Sequence, residues 1–272
     1  LISFILLLSG DIHVNPGPPT HIQFAHLNTR SISTVTADLD KPTILKEFIA
    51  DENIEILALS ETWLPPSPLP STLASITPPN FSLIHYPRPV GKGGGVAFIY
   101  RSYLKISTVT IPIYSTFEAL CIRLTIASSS FTFLTIYRPP SSSLPQFISE
   151  FSSLIDQLIV YPSELVISGD FNIHYDSMVT SSTFRSLLDS YHLDQHVHFP
   201  THKHGHTLDY IITKSDSNII SAIDWTIPFI SDHYTVHCAI TVPYHCRPPA
   251  TTKFVRAYRS IDIKSFSSDI IT

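Results

Sequence analysis

From His21 to about Val242 the chain is built of short runs rich in Ile, Val, Phe, Tyr and Thr, each cut off by Pro, Gly or Ser. Eleven such runs fall at 21–27, 54–60, 81–87, 94–101, 104–111, 118–126, 131–137, 164–170, 208–213, 219–225 and 234–242. β-Branched and aromatic residues between turn formers predict strands, and breaks this frequent rule out a helical bundle. Helical spacing appears in three places. Ile44, Leu45, Phe48 and Ile49 share one side of 43–51. Phe147, Phe151, Leu154, Ile155 and Leu158 recur at i, i+3 and i+4 within 144–160, and Phe184, Leu187 and Leu188 do the same within 183–191. Runs such as Glu164-Leu165-Val166-Ile167-Ser168 are continuously apolar, which predicts strands buried on both faces. The expected class is α/β: a four-layer α/β sandwich, two mixed β-sheets packed face to face with flanking helices. No internal repeat is present, so 21–242 reads as one domain.

Charged residues make up 14% of the 272, against about 25% in a typical soluble domain. Lys+Arg 17 against Asp+Glu 22 leave a net charge of −5. That excludes a polybasic nucleic-acid binder, whose affinity comes from neutralising phosphates, but not an enzyme that cuts nucleic acid, which needs acids as well as bases. Cys121, Cys238 and Cys246 form no C-x-x-C pair, so neither a zinc finger nor a disulfide framework is expected. Cys121 and Cys238 sit in apolar runs and read as small buried hydrophobes of a reducing compartment.

Leu1–Leu8 is apolar but far short of the roughly 20 residues that span a bilayer, so no membrane partner is expected. Beginning at Leu1 rather than Met, the chain reads as a piece of a longer frame. Gly10-Asp11-Ile12-His13-Val14-Asn15-Pro16-Gly17-Pro18 is a turn and linker that closes off residues 1–20. At the other end, 243–272 reads as a basic linker toward a missing downstream region. Arg247, Lys253, Arg256, Arg259 and Lys264 there face only Asp262 and Asp269.

Polar residues gather where the predicted strands begin or end. His26-Leu27-Asn28 closes the first run with an amide, and Leu59-Ser60-Glu61-Thr62-Trp63-Leu64 closes the second with a carboxylate. Tyr137-Arg138-Pro139-Pro140 offers a phenol and a guanidinium, and Gly169-Asp170-Phe171-Asn172 an acid and an amide two residues apart. Leu208-Asp209-Tyr210-Ile211 opens a strand with an acid, and Ser231-Asp232-His233 precedes the last strand. Singly, each is what a strand-end cap looks like. In this order, L-S-E-T-W-L, Y-R-P-P, G-D-F-N, L-D-Y-I and S-D-H resemble the endonuclease/exonuclease/phosphatase superfamily with its DNase I-like fold. The nearer likeness is to the N-terminal endonuclease domain of LINE-type non-LTR retrotransposon polyproteins, over about 21–242. Asn15-Pro16-Gly17-Pro18, with Asp11 before it, is similar to 2A-like ribosome-skipping peptides, with His13 where those carry Glu.

The resemblance implies a Mg²⁺-dependent endonuclease, with Mn²⁺ as a substitute, that nicks DNA and leaves a 3′-hydroxyl to prime reverse transcription. Its partners would be target DNA, the element RNA and the reverse transcriptase domain of the full polyprotein. Synthesis would be cytoplasmic and action nuclear, with no small organic cofactor. Phosphodiester hydrolysis needs a hard cation, a base for water and support for the leaving oxyanion. Magnesium takes oxygen ligands and keeps several waters, so one or two carboxylates suffice. Glu61 is the expected ligand, with Asn28 and Asp232 helping to hold metal or phosphate. Asp170 is the expected base, and Asn172 orients the water or a phosphate oxygen. His233 acts on a non-bridging oxygen, with Asp209 fixing its tautomer. Tyr137 and Arg138 offer donors to the phosphate, with Thr201 and Ser231 as further phosphate-side hydrogen bonders. An abasic-site nuclease or another phosphoesterase of the same fold would share this set. A non-enzymatic remnant that only binds nucleic acid is the third reading, opposed by the intact motifs.

Other features read more plainly. Gly91-Lys92-Gly93-Gly94-Gly95 lacks the G-K-[ST] order and leads into a strand, so it is a turn rather than a phosphate-binding loop. His192, His196, His198, His202, His204 and His206 crowd the loop before Asp209, with solvated or phosphate-facing roles preferred to metal binding. Ser168 and Ser231 lack the G-x-S-x-G elbow of a serine hydrolase. Trp63 and Trp225 read as packing residues.

Overall fold

A computed structural model of the chain describes residues 21–126, 129–226 and 230–242. The N-P-G-P peptide, the basic tail and Cys246 lie outside them. The first six-stranded sheet contains β1 (His21–Asn28), β2 (Ile56–Ser60), β3 (Phe81–Tyr86), β4 (Val96–Arg101), β11 (Ile220–Thr226) and β12 (Thr235–Thr241), in the order β11-β12-β1-β2-β4-β3. The second contains β5 (Ile106–Val109), β6 (Glu118–Ile126), β7 (Ser129–Tyr137), β8 (Glu164–Asp170), β9 (Leu193–Gln195) and β10 (Asp209–Lys214), in the order β5-β6-β7-β8-β10-β9. The helices are α1 (Lys41–Asp51), α2 (Pro70–Ile76), α3 (Leu144–Leu158) and α4 (Met178–Ser190). Each sheet is mixed, with one parallel pair at its centre, β1 with β2 and β7 with β8.

The period of two along each strand builds the layers. On β1, Ile22 and Phe24 enter the cluster between the sheets, while Ala25 and Leu27 enter the one under α1. On β7, Phe131 and Phe133 point between the sheets, and Leu134 and Ile136 toward α3. Phe133 stacks on Phe24 across the layer at 5.4 Å. On the far side of the second sheet, Phe147, Phe151, Phe171, Phe184 and Tyr210 close an aromatic cluster under α3 and α4. Each such fully buried side chain contributes about 1.5–3 kcal/mol. The outcome is the expected four-layer α/β sandwich.

The sequence pattern misses two elements and part of a third. Strand β9 has only three residues, too few for alternation to register. Helix α2 lies in a Pro- and Ser-rich stretch without a helical apolar repeat, and α4 begins five residues before its apolar face does. The prolines do more than break the chain. Three of the four helices among the described residues carry Pro in their first turn, where its missing N–H costs nothing. Helix α1 adds a cap, with Thr43 N–H donating to the Asp40 carboxylate at 3.2 Å.

Candidate active site

The site lies where the carboxyl ends of the two central parallel pairs meet. Asn28 ends β1 beside Ser60 of β2, and Glu61 follows at once. Across the layer, Asp170 ends β8 opposite Tyr137 of β7 and directly opposite Asp209, the first residue of β10. Gly169 carries φ +151°, and a Cβ there would come within 2.1 Å of the Ile136 carbonyl, so only glycine lets β8 reach this position. The loops that follow are strained. Of eight non-glycine residues with positive φ among the described residues, five are at the site: Arg30, Ser31, Glu61, Trp63 and Asn172. Cross-ties between loops hold them there, with Ser31 N–H donating to the Glu61 carbonyl at 2.9 Å and Trp63 N–H to the Gly94 carbonyl at 2.8 Å. Such strain persists only where the surroundings over-determine it.

Asn28 joins the two acids. Its Nδ2 donates to Glu61 Oε1 at 3.0 Å and to Asp170 Oδ2 at 2.8 Å, while its Oδ1 accepts from Arg30 N–H at 3.1 Å. Asn172 serves Asp170 twice, through its backbone N–H at 3.0 Å and its Nδ2 at 3.1 Å. Asp209 Oδ2 lies 2.9 Å from His233 Nδ1, and His233 Nε2 lies 4.0 Å from Asp170 Oδ2. Two buried acids directly across a ladder repel, and His233 sits between their charges. Burial opposes protonation of His233, but attraction and hydrogen bonding to Asp209, then Asp170 and Asp232, win and raise its pKa to about 9. Burial, then the charge of Asp209, pushes the Asp170 carboxyl above the usual carboxylate range. Burial, then Glu61 and Asp170, likewise raise the Tyr137 phenol, which stays protonated beside Glu61. The cluster therefore holds a proton acceptor, a cation and a neutral donor side by side.

The Endonuclease/Exonuclease/phosphatase family matches the chain over residues 25–233. The chain belongs to that family. No curated protein sequence matches it. Solved structures share the family's fold at low identity. The AP endonuclease LMAP from Leishmania major superposes with TM-score 0.65 at 14% identity, covering 82% of this chain and 89% of that one. The endonuclease domain of TRAS1, a telomere-specific non-LTR retrotransposon, gives TM-score 0.62 at 13% identity over 81% and 98%. The human Nocturnin catalytic domain gives 0.61 at 17% over 82% and 93%. Family membership makes this chain a hydrolase of phosphate esters, and the polar end of the sandwich is where its chemistry-bearing side chains converge.

Six of the expected residues, Asn28, Glu61, Tyr137, Asp170, Asn172 and the Asp209–His233 pair's histidine, meet in one cluster, and Asp209 completes it. Several expected roles need correction. Asn28 turns its amide N–H groups, not its oxygen, toward the carboxylates, so it bridges them rather than offering a metal ligand. Asp232 Oδ2 is paired with Arg30 at 2.5 Å, Lys203 at 3.6 Å and His202 at 3.4 Å. The Arg30 and Lys203 cations offset its charge, while its Oδ1 is buried without a hydrogen-bond partner. Arg138 is buried and donates to the carbonyls of Phe171, Asn172 and Ser142, pinning the Asp170–Asn172 loop from behind rather than facing a phosphate. Thr201 is fully buried, and its Oγ1 accepts from the N–H groups of Leu208 and Asp209. Ser231 Oγ donates to the Asn28 carbonyl at 2.6 Å and accepts from His233 N–H at 3.1 Å. Both position neighbours and are spent on backbone. Trp63 is 47% exposed with its indole N–H donating to Glu61 Oε2 at 3.1 Å. Trp225 is exposed and stacked on Tyr234 at 5.0 Å. Neither is a core packing residue.

Sequence reasoning missed His26, Arg30, Lys41 and Lys203. His26 is fully buried behind Asp209, with its Nδ1 3.5 Å from Asp209 Oδ1. Alternation was the available signal, since a residue two before Asn28 shares its face. Arg30, Lys41 and Lys203 line a groove of about 580 Å³ with Trp63, Ser231 and Asp232. Lys41 is tied to the carbonyls of Thr29 and Arg30 at 2.7 Å. The two buried cysteines are free, and burial pushes the Cys121 thiol up to about 12 and raises that of Cys238 as well. Among the described residues, no helix is long and apolar enough to cross a membrane.

Proposed function

We propose that this chain is a Mg²⁺-dependent DNA endonuclease that nicks target DNA and leaves a 3′-hydroxyl for target-primed reverse transcription in a non-LTR retrotransposon. The observation that carries the reading is the chain Glu61–Asn28–Asp170–Asn172 facing the Asp209–His233 pair, beside a groove lined by Arg30, Lys203 and an exposed Trp63. Basic groups and an exposed aromatic ring suit a polynucleotide better than a small phosphate. The likeness in fold to the TRAS1 endonuclease domain supports the retrotransposon setting. On this reading the element RNA and the reverse transcriptase are the chain's partners and the nucleus its place of action.

The donor set fits a hard divalent cation. Glu61 is half-buried, and each of its carboxylate oxygens accepts one hydrogen bond, from Asn28 and from Trp63, which leaves further lone pairs. Glu61 would hold Mg²⁺, which when bound neutralises charge on the non-bridging phosphate oxygens. Asp170, with its raised pKa, takes the proton of the attacking water, and Asn172 orients that water. Protonated His233 donates from Nε2 to a phosphate oxygen while Asp209 holds its ring. Tyr137 adds a neutral donor on the Glu61 side.

A second reading is favoured by one finding, the superposition on the Leishmania major AP endonuclease. Incubating the full chain with supercoiled plasmid and with a duplex carrying one abasic site separates the two. The proposal expects Mg²⁺-dependent relaxed circles, abolished by EDTA and by Asp170→Ala. Cleavage confined to the abasic duplex would establish the second reading, and a folded preparation that cuts neither would end both.

A further inference from the structure

We propose that His174, Asp176 and His206 form a second metal site, one for Zn²⁺ or a similar borderline-soft divalent cation, that clasps the loop after β8 to the start of β10. The ligand atoms of these three residues all lie within 4.8 Å of one another. His206 Nδ1 is 3.4 Å from Asp176 Oδ2, and the rings of His174 and His206 meet edge to face at 4.1 Å. Ligands tetrahedral about zinc sit about 3.3 Å apart, given metal–ligand bonds of about 2.0–2.2 Å. The His206–Asp176 pair already has that spacing. The half-buried His174 closes the third corner by a side-chain adjustment, and water completes the fourth.

The scaffold is built without any ion. Thr207 N–H donates to Asp176 Oδ1 at 3.2 Å, and Tyr175 N–H donates to the Thr207 carbonyl at 3.1 Å. The His206 carbonyl accepts from the N–H groups of Thr201 and His202 at 2.9 and 3.1 Å, and the His174 carbonyl from Ser177 N–H at 3.0 Å. The three side chains are thus delivered from two strands of backbone already stitched together.

The donor types separate this site from the catalytic one. Two imidazoles and a carboxylate suit zinc, whereas a carboxylate with water suits magnesium. Among the described residues, two other histidine-containing clusters, each sharing His233, are poorer candidates. Asp170, Asp209 and His233 are buried and belong to the catalytic cluster, where Asp209 already holds the His233 ring. His202, Asp232 and His233 share their carboxylate with Arg30 and Lys203. Asp176 forms no ion pair with Lys or Arg among the described residues, and it is open to solvent. His174 lies two residues past Asn172 and His206 three before Asp209, so an ion here fastens together the segments that carry those two residues.

The test uses the full chain, purified without a histidine tag and stripped of metal, and titrated with Zn²⁺ by calorimetry. The expected result is one equivalent bound, with a rise in Tm and, on substitution by Co²⁺, the intense visible bands of tetrahedral coordination. His174→Ala and His206→Ala each weaken binding by at least roughly tenfold, while His202→Ala and Glu61→Gln leave it unchanged. Asp176→Asn, which keeps the acceptor for Thr207, serves as the third ligand variant should an alanine variant fail to fold. Absence of stoichiometric binding, weak octahedral Co²⁺ bands, or affinity that survives these replacements and falls with His202→Ala would overturn the proposal.

Discussion

The layer between the two sheets has an apolar end and a polar end, built on the same rows of side chains. On β1 the inward row runs Ile22, Phe24, His26, Asn28. On β7 it runs Phe131, Phe133, Thr135, Tyr137, and on β8 Val166, Ser168, Asp170. No change of backbone direction separates core from site. The strands continue to alternate, and only the residue types change as each row nears its carboxyl end. The two ends differ in what they leave unsatisfied. The buried side-chain atoms without a hydrogen-bond partner include both ring nitrogens of His26, Ser60 Oγ, Thr135 Oγ1 and Asp209 Oδ1, all at the polar end. Each such atom costs stability. The apolar rows supply the stability that a buried, charged and strained site consumes.

Replacing Asp170 breaks the polar end, and the effect is the largest expected. Asp170→Asn lowers the nicking rate by roughly 10²–10⁴-fold, the usual contribution of a general base. Thermal stability holds or rises, because one of two opposed buried acids is gone and Asp209 keeps His233 as its partner. A calorimetric scan beside the rate measurement checks both. A parallel loss of Tm and rate would mean that the two ends are not separable. Phe133→Ala breaks the apolar end instead. It removes a fully buried ring stacked on Phe24 and costs about 3–5 kcal/mol in denaturant unfolding, with the rate per folded molecule unchanged.

A third change sharpens the boundary between the ends. Burial, against the attraction of Asp209 and aided by His233, lowers the His26 pKa from 6.5 to about 4. The folded protein therefore keeps His26 neutral while the unfolded chain protonates below 6.5. Stability from this group is complete above 6.5 and is lost as pH falls toward 4, by about 3 kcal/mol in all. His26→Leu removes that acid limb. Unfolding free energies of the two proteins, measured at several pH values between 4 and 7, should shift relative to each other in favour of His26→Leu as the acid end is approached. A difference independent of pH would show that His26 is not held neutral.

Much of the site was legible because its residues stand at strand ends in recognisable local order. Glu61 follows a strand that ends in Leu59-Ser60, and Asp170 ends one that carries Leu165-Val166-Ile167. What was not legible is orientation. Arg138 stands beside Tyr137 in sequence, yet alternation sends the phenol between the sheets and the guanidinium behind the Asp170–Asn172 loop. Thr201 and Ser231 look like spare hydroxyls until the backbone groups they satisfy come within reach. Lys203 gave no local signal at all, since its place at the groove depends on how the histidine-rich loop folds back on Asp232.

The sequence by itself determined the strands, the double-sided burial of the central ones, the class of fold and most of the side chains at the carboxyl ends. Periodicity is local, and short windows carry it. Tertiary structure alone decided that Asn28 bridges two acids, one of them 142 residues away, and that His233 sits between Asp170 and Asp209. It also spent Asp232 on Arg30 and Lys203 and brought His174, Asp176 and His206 together. Each of those outcomes is a contact between segments distant along the chain, made by packing one sheet on the other, and no local pattern encodes it.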